Sequence, residues 1–251
     1  TWQPASGTRS PVAAGHLYPD DRDQLHAIVT GLLDAVAVGS GNRLEPAYLV
    51  PHGPYATSGA TAAEVYARLR RHSAEIERVI LLGPSHAEPT LGYVASASAA
   101  WSTPLGSTPV DEATLRMLIA DGHIKCDDEL HVAEESLEVQ LPFLQVAAPH
   151  AMILPILVGV TPAEDIVVTL SALSDLDGTV VIVTTDLGDG SSAGRTLLSI
   201  LEMAPQRIGV RDACGVHALR GVLGWANHRG LTAELLSRSG DDVACAFYQP
   251  S

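Results

Sequence analysis

A chain of 251 residues with 46% hydrophobic and 18% charged side chains can bury a sizeable core and is unlike a disordered composition. Its formal net charge of -14 excludes a phosphate-tracking basic surface, so neither nucleic acid nor an anionic membrane is an expected partner. Aromatics are only 4% of the chain, so the core must come mainly from Val, Leu, Ile and Ala. No linker, repeat or low-complexity tract divides the sequence, which predicts one domain over residues 1–251 with an extended segment over 1–10. No apolar run approaches a membrane span, and Thr1-Trp2-Gln3-Pro4 lacks the regions of a signal peptide, so a cytoplasmic protein is expected. Cys126, Cys214 and Cys245 are scattered without CxxC spacing, which indicates neither a disulfide framework nor a structural zinc site.

In chain order, Tyr48-Leu49-Val50-Pro51-His52 reads as a strand ending on a polar, metal-capable side chain. Gly59 to His72 follows as a helix with Ala62, Val65, Tyr66 and Leu69 on one face, and Val79 to Leu82 is the next strand, completing a βαβ unit. Thr108 to Ile119 reads as helical, and Glu134 to Gln145 as a helix or turn broken at Pro142. Met152 to Val158 is a strand, Thr161-Pro162-Ala163-Glu164 opens a helix with a Thr cap, and Gly178 to Thr185 is a further strand. Cys214 to His228 is amphipathic through Val216, Leu219, Leu223 and Ala226, and two short strands, around Thr232 to Leu236 and Val243 to Tyr248, close the chain.

Three strands therefore run into polar residues, at His52, at Gly83-Pro84-Ser85-His86 and at Thr184-Thr185-Asp186. In an open α/β sheet, ligands bind outside the carboxyl ends of the strands, so these residues should meet on one rim. No GxxxxGK[ST] loop and no GxSxG elbow competes with that site. His16, His123, His131, His150 and His228 lack ligand spacing, and His217 reads as a helix-surface residue near Cys214.

Several blocks carry a family resemblance. Pro11 to Pro19 resembles the entry signature of the Memo family (mediator of cell motility), and Pro51 to Gly59 its PHAGYxYSG loop. Gly83-Pro84-Ser85-His86 fits its GPSH turn, Glu134 to Leu144 its EHSLExQLPFL segment, and Ala213-Cys214-Gly215 its CG motif before the last helix. The resemblance implies a three-layer α/β/α fold with a mostly parallel or mixed central sheet, related to the class III extradiol dioxygenases. It also implies a metal site at positions similar to His52, His86 and Cys214, with iron or copper as metals and no settled substrate.

The chain departs from that pattern at two places. Asp189 stands where a His is usual, Glu135 replaces the His of the EHSLE segment, and the chain after Gly190 looks shorter than is typical. His52, His86 and Asp189 would still make a two-His, one-carboxylate set, with Cys214 adding a thiolate from a helix start. What is lost is an imidazole base near neutral pH. Asp186 reads either as a turn cap or as an acid/base group, Asp189 either as a ligand or as a solvated turn residue, and Cys214 either as a ligand or as a small buried hydrophobe.

The expectation is a non-haem metal-dependent oxidoreductase-like protein, Fe(II) first, copper or zinc next. His52 and His86 would be ligands, Asp189 and Cys214 candidates for the third position, and Asp186, Asp189 and Glu135 the acid/base or supporting groups. The alternative is a non-catalytic scaffold whose cleft binds a small molecule or peptide.

Overall fold

The computed structural model describes residues 7–39, 42–86, 89–122 and 124–250; His123 lies outside them. The chain begins with β1 (Thr8–Arg9), α1 (Arg22–Asp34), β2 (Ala47–Val50), α2 (Tyr55–Arg71), β3 (Arg78–Gly83), β4 (Tyr93–Ala95), β5 (Ala100–Thr103), β6 (Gly106–Pro109) and α3 (Glu112–Ala120). It continues through β7 (Lys125–Cys126), α4 (Glu129–Val132), α5 (Leu141–Ala147), β8 (Met152–Val158), α6 (Ala163–Ser174) and β9 (Thr179–Thr184). It closes with α7 (Ser191–Leu201), α8 (Val216–His228), β10 (Thr232–Ser239) and β11 (Asp242–Tyr248).

Eight strands form one sheet in the order β10-β11-β2-β9-β3-β8-β4-β7, and β1, β5 and β6 form a small second sheet. The central strands β2, β9, β3 and β8 are parallel, whereas the β10/β11, β11/β2 and β4/β8 pairs are antiparallel, so the sheet is mixed, as expected. The parallel strands are near-continuous apolar runs, such as Thr179-Val180-Val181-Ile182-Val183-Thr184, because both of their faces are covered. Helices lie on both sides of the sheet, α1, α2 and α5 packing together on one and α6 and α8 on the other. Among the described residues, no helix is long and apolar enough to cross a membrane.

Three of the aromatics meet where α2 packs on α5. Phe143 stacks on Tyr66 with centroids 4.9 Å apart and meets Tyr55 at 4.8 Å with the rings tilted by 38°. The buried tyrosine hydroxyls are satisfied nearby, Tyr55 donating to the Val139 carbonyl at 2.6 Å and Tyr66 to Gln140 Oε1 at 2.7 Å. This fixes residues 139–140 against the sheet, beneath the rim.

Three local expectations need correction. Residues Gly106–Pro109 form a strand, and the helix there begins only at Glu112, where the Asp111 side chain accepts from the Thr114 amide. The strong cap outweighed the apolar periodicity upstream. Pro142 does not break a helix but sits in the first turn of α5, where its missing N–H costs nothing. Thr161 is not the cap of α6; Pro162 holds that position with no side-chain cap bond.

Candidate metal centre

Because β2, β3 and β9 run parallel, the residues that follow them emerge on one edge of the sheet. That edge collects His52 from beyond β2, His86 from beyond β3 and Asp186 from beyond β9. Cys214 arrives from the far end of the chain, two residues before α8, and its placement is enforced by backbone. The Cys214 amide donates to the Asp186 carbonyl at 3.2 Å, and Leu187 pairs with Ala213 in an isolated bridge. Gly215 lets the two segments touch, since a Cβ there would fall 2.9 Å from the Thr184 carbonyl oxygen. One ring nitrogen each of His52 and His86 and the Cys214 Sγ lie within 4.8 Å of one another.

Hydrogen bonds decide which ring nitrogens face that point. Thr184 Oγ1 donates its single proton to the Val50 carbonyl at 3.1 Å, so at 3.0 Å from His52 Nδ1 it must accept. His52 is thereby held with a proton on Nδ1 and with Nε2 aimed at the centre, 3.5 Å from Cys214 Sγ and 3.4 Å from Asp186 Oδ2. Gln140 Nε2 completes the arrangement by donating to Thr184 Oγ1 at 3.2 Å and to the Pro51 carbonyl at 3.0 Å. His86 is fixed in the same sense by Glu134, whose Oε1 takes Nδ1–H at 2.9 Å while Oε2 takes the His86 amide at 2.6 Å. Both imidazoles thus carry the outer partner that metal-ligating histidines ordinarily have.

The electrostatics follow. Burial would push Glu134 up, but hydrogen bonds from the His86 ring and amide and from Ser136 outweigh it and hold the carboxyl down at about 2. His86 is raised to about 10, first by its hydrogen bond to Cys214 and then by Glu134. For Cys214, burial is again overcome, by hydrogen bonds from His52 and His86, which bring the thiol down to about 6. The Asp186 amide also donates to Sγ, at 3.2 Å. The pocket therefore favours a thiolate, the metal-binding form of cysteine.

The rim brings together His52, His86, Cys214 and Asp186 and leaves Asp189 and Glu135 apart. Asp186 reaches the rim, its Oδ1 accepting the His52 amide at 3.0 Å. Asp189 is exposed and outside the His52, His86 and Cys214 group; its described contact is a backbone carbonyl that accepts from the Ser192 amide. Glu135 is also directed away: its Oε1 meets His16 Nε2 at 2.5 Å, and its neighbour Glu134, 1% exposed, is the one that supports the site. Adjacent residues point to different sides, and the short turn before the Glu138–Gln140 3₁₀ segment determined which.

Two further groups were missed. Glu138, fully buried, accepts from Arg9 at 2.6 Å, from Tyr18 Oη at 2.5 Å and from the Val12 and Ala13 amides, while Arg9 also donates to the Glu134 carbonyl at 2.7 Å. This ties the N-terminal segment to the residues that carry Glu134. Asp242, at the start of β11, is raised first by burial and also by nearby Asp186 and Asp241, with Ser58 opposing, which puts a further carboxyl beside the rim. Its position at a hairpin end gave no sequence signal.

The Memo-like protein family model matches residues 9–191 of this chain. The chain belongs to the Memo family. A MEMO1 family protein of Metallosphaera sedula is 35% identical over 164 residues, covering 60% of this chain and 56% of the relative. That of Aquifex aeolicus is 38% identical over 153 residues, covering 60% and 54%. The match to these two thus spans little more than half of their length. The Thermotoga maritima MEMO1 family protein is 30% identical over 203 residues, covering 75% of this chain and 73% of the relative. Among solved structures, an uncharacterized protein of Escherichia coli K12 superposes with a TM-score of 0.54 at 12% identity, over 80% of this chain and 99% of that one, a likeness of fold alone. Cys214 lies beyond the span of the family model, so it is the geometry of the rim that joins it to the family histidines.

Proposed function

We propose that this Memo-family protein is a metal-binding oxidoreductase that uses non-haem Fe(II), with copper and then zinc as the next candidates. The observation that supports this most is the convergence of two imidazoles and a thiolate within 4.8 Å, each imidazole already held at Nδ1 so that its other nitrogen faces the centre. Imidazole suits iron, copper and zinc, and a thiolate strengthens the softer end of that range. His52, His86 and Cys214 would hold the ion, and Fe(II) with open positions would supply dioxygen chemistry.

The residues around it have separable tasks. Glu134 holds the His86 Nδ1 proton and so aims Nε2 at the centre, where a metal would displace its proton. Asp186, exposed on one side and 3.4 Å from His52 Nε2, is placed to hold or pass a proton at Oδ2 for a small-molecule or peptide ligand on the open rim. Asp189 and Glu135 have no assigned step here. The reading includes a reducing, cytoplasmic setting, which keeps Cys214 and the other two cysteines as thiols.

A second reading is favoured by one observation: Glu135 and Asp189 leave no imidazole on the rim beyond the two ligand histidines among the described residues. In that reading the fold is a non-catalytic scaffold that binds a small molecule or peptide at the same rim. The deciding experiment loads the protein anaerobically with Fe(II) and follows oxygen uptake across a catechol panel. Metal-dependent uptake that disappears in His86→Ala supports the enzyme. Stoichiometric metal binding with no uptake supports the scaffold.

A further inference from the structure

A separate site lies two strands along the same rim. Beyond β8 the chain turns through Gly159, and the loop before β4 closes on it: the Gly159 amide donates to the Gly92 carbonyl, the Val160 amide to Thr90, and the Gly92 amide back to Val160. Gly159 is obligatory here, because a Cβ would sit 2.0 Å from the Thr90 oxygen. These pairings frame a cavity of about 440 Å³ that shares no lining residue with the metal centre and falls within the size range of small-molecule pockets.

Its polar lining is unusual for this chain. Lys125 is the sole lysine in the sequence, and it lines this cavity. Tyr93, 6% exposed, and Thr161, 7% exposed, also line it, and each has a buried hydroxyl with no hydrogen-bond partner among the described residues. Buried hydroxyls without partners are costly, and acceptors on a ligand in this cavity would satisfy these two. The cavity lies at the start of α6, twelve residues long, whose cap Pro162 supplies no side-chain bond to the first amides. Burial and the neighbouring Asp165 push Tyr93 further up, so its hydroxyl remains a donor at neutral pH.

These groups favour a carboxylate, yet Asp165 also lines the cavity. A simple anion would be repelled by Asp165 and by a chain of net charge -14, whereas a zwitterion would satisfy both signs. The rim supplies an apolar contact as well, since Leu91 is 72% and Val160 60% exposed. We infer that this cavity binds a free α-amino acid with an aliphatic side chain: carboxylate on Lys125, Thr161 and Tyr93, ammonium on Asp165, side chain against Leu91 and Val160.

The test uses metal-stripped protein, so that its failure is independent of the metal proposal. L-leucine, 4-methylpentanoate, which lacks the amine, and 3-methylbutylamine, which lacks the carboxylate, are titrated by calorimetry. Leucine should bind saturably and each half-ligand about tenfold or more weakly. Lys125→Met should lower leucine and 4-methylpentanoate affinity by about tenfold without changing the amine, and Asp165→Asn should do the reverse. Leucine should also protect Lys125 from an amine-acylating reagent, read on the peptide that carries residue 125. Absence of saturable leucine binding, or binding unaltered by both substitutions, overturns the inference. So does a preference for 4-methylpentanoate over leucine.

Discussion

The two ends of the strand rim are built on opposite principles. At the end that carries His52, His86 and Cys214 both inward-facing imidazoles are already oriented, His52 by Thr184 and His86 by Glu134, and the supporting groups are themselves held by Gln140, Glu138 and Arg9. At the β8/β4 end the hydroxyls of Tyr93 and Thr161 are buried without partners among the described residues. At the first end the Nδ1 of each ring already has its partner; at the second, two lining hydroxyls have none among the described residues. The difference teaches that the two ends suit different ligands: rings already fixed by outer partners suit a metal, and unpartnered hydroxyls suit a hydrogen-bonding small molecule.

The largest expected effect comes from breaking the support of the first end. Arg9→Met leaves the Glu138 carboxylate buried and short of its cation, which should cost about 3–5 kcal/mol of stability in urea denaturation. A loss under 1 kcal/mol would mean that the N-terminal segment is not part of the supporting network. Next in size, Glu134→Gln keeps the shape but weakens the acceptor for His86 Nδ1–H, and metal affinity should fall about 10–100-fold. An unchanged affinity would show that His86 is oriented by packing alone.

The pH dependence sharpens the same comparison. Glu134 is lowered from 4.5 to about 2, so its stabilisation is present above 4.5 and is lost as pH falls toward 2. His86 is raised from 6.5 to about 10 in the metal-free protein, so its contribution is full below 6.5 and is lost as pH rises through 10. A metal must displace that proton, and its affinity should therefore climb as pH rises from 7 toward 10. A flat profile would contradict the assignment of His86 as a ligand.

Smaller effects separate the cysteines and the rim aspartates. The Cys214 thiol, brought down to about 6, should react with a thiol reagent at pH 7 far faster than Cys245, which burial pushes up to about 12, and bound metal should protect it. Equal, metal-insensitive labelling would remove Cys214 from the site. Asp189→Ala should leave metal affinity unchanged, because the side chain is exposed and outside the ligand group.

The rim was legible because strand identity and polarity change at one residue. Val50-Pro51-His52 and Val183-Thr184-Thr185-Asp186 pass from sheet core to solvent within two or three positions, and parallel strands put such residues together. Facing was not legible within a turn: Glu134 and Glu135 differ by one position, and only tertiary packing turns Glu134 toward His86 and Glu135 toward His16. Nor did the second sheet announce itself. Its strands, Ala100–Thr103 and Gly106–Pro109, are short and rich in Ser and Thr, and they are stabilised by pairing with Thr8–Arg9 from a distant part of the chain. Helix α1, by contrast, had a readable signal in Asp21 as cap and Leu25, Val29 and Leu33 as its buried stripe, and was overlooked.

The most direct test is metal content. The protein, loaded anaerobically with Fe(II) and freed of unbound metal by gel filtration, should retain roughly one ion per chain, and His52→Ala, His86→Ala and Cys214→Ala should each lose it. Failure of the unsubstituted protein to retain Fe(II), copper or zinc, or equal retention by all three variants, would contradict a metal centre built on this triad.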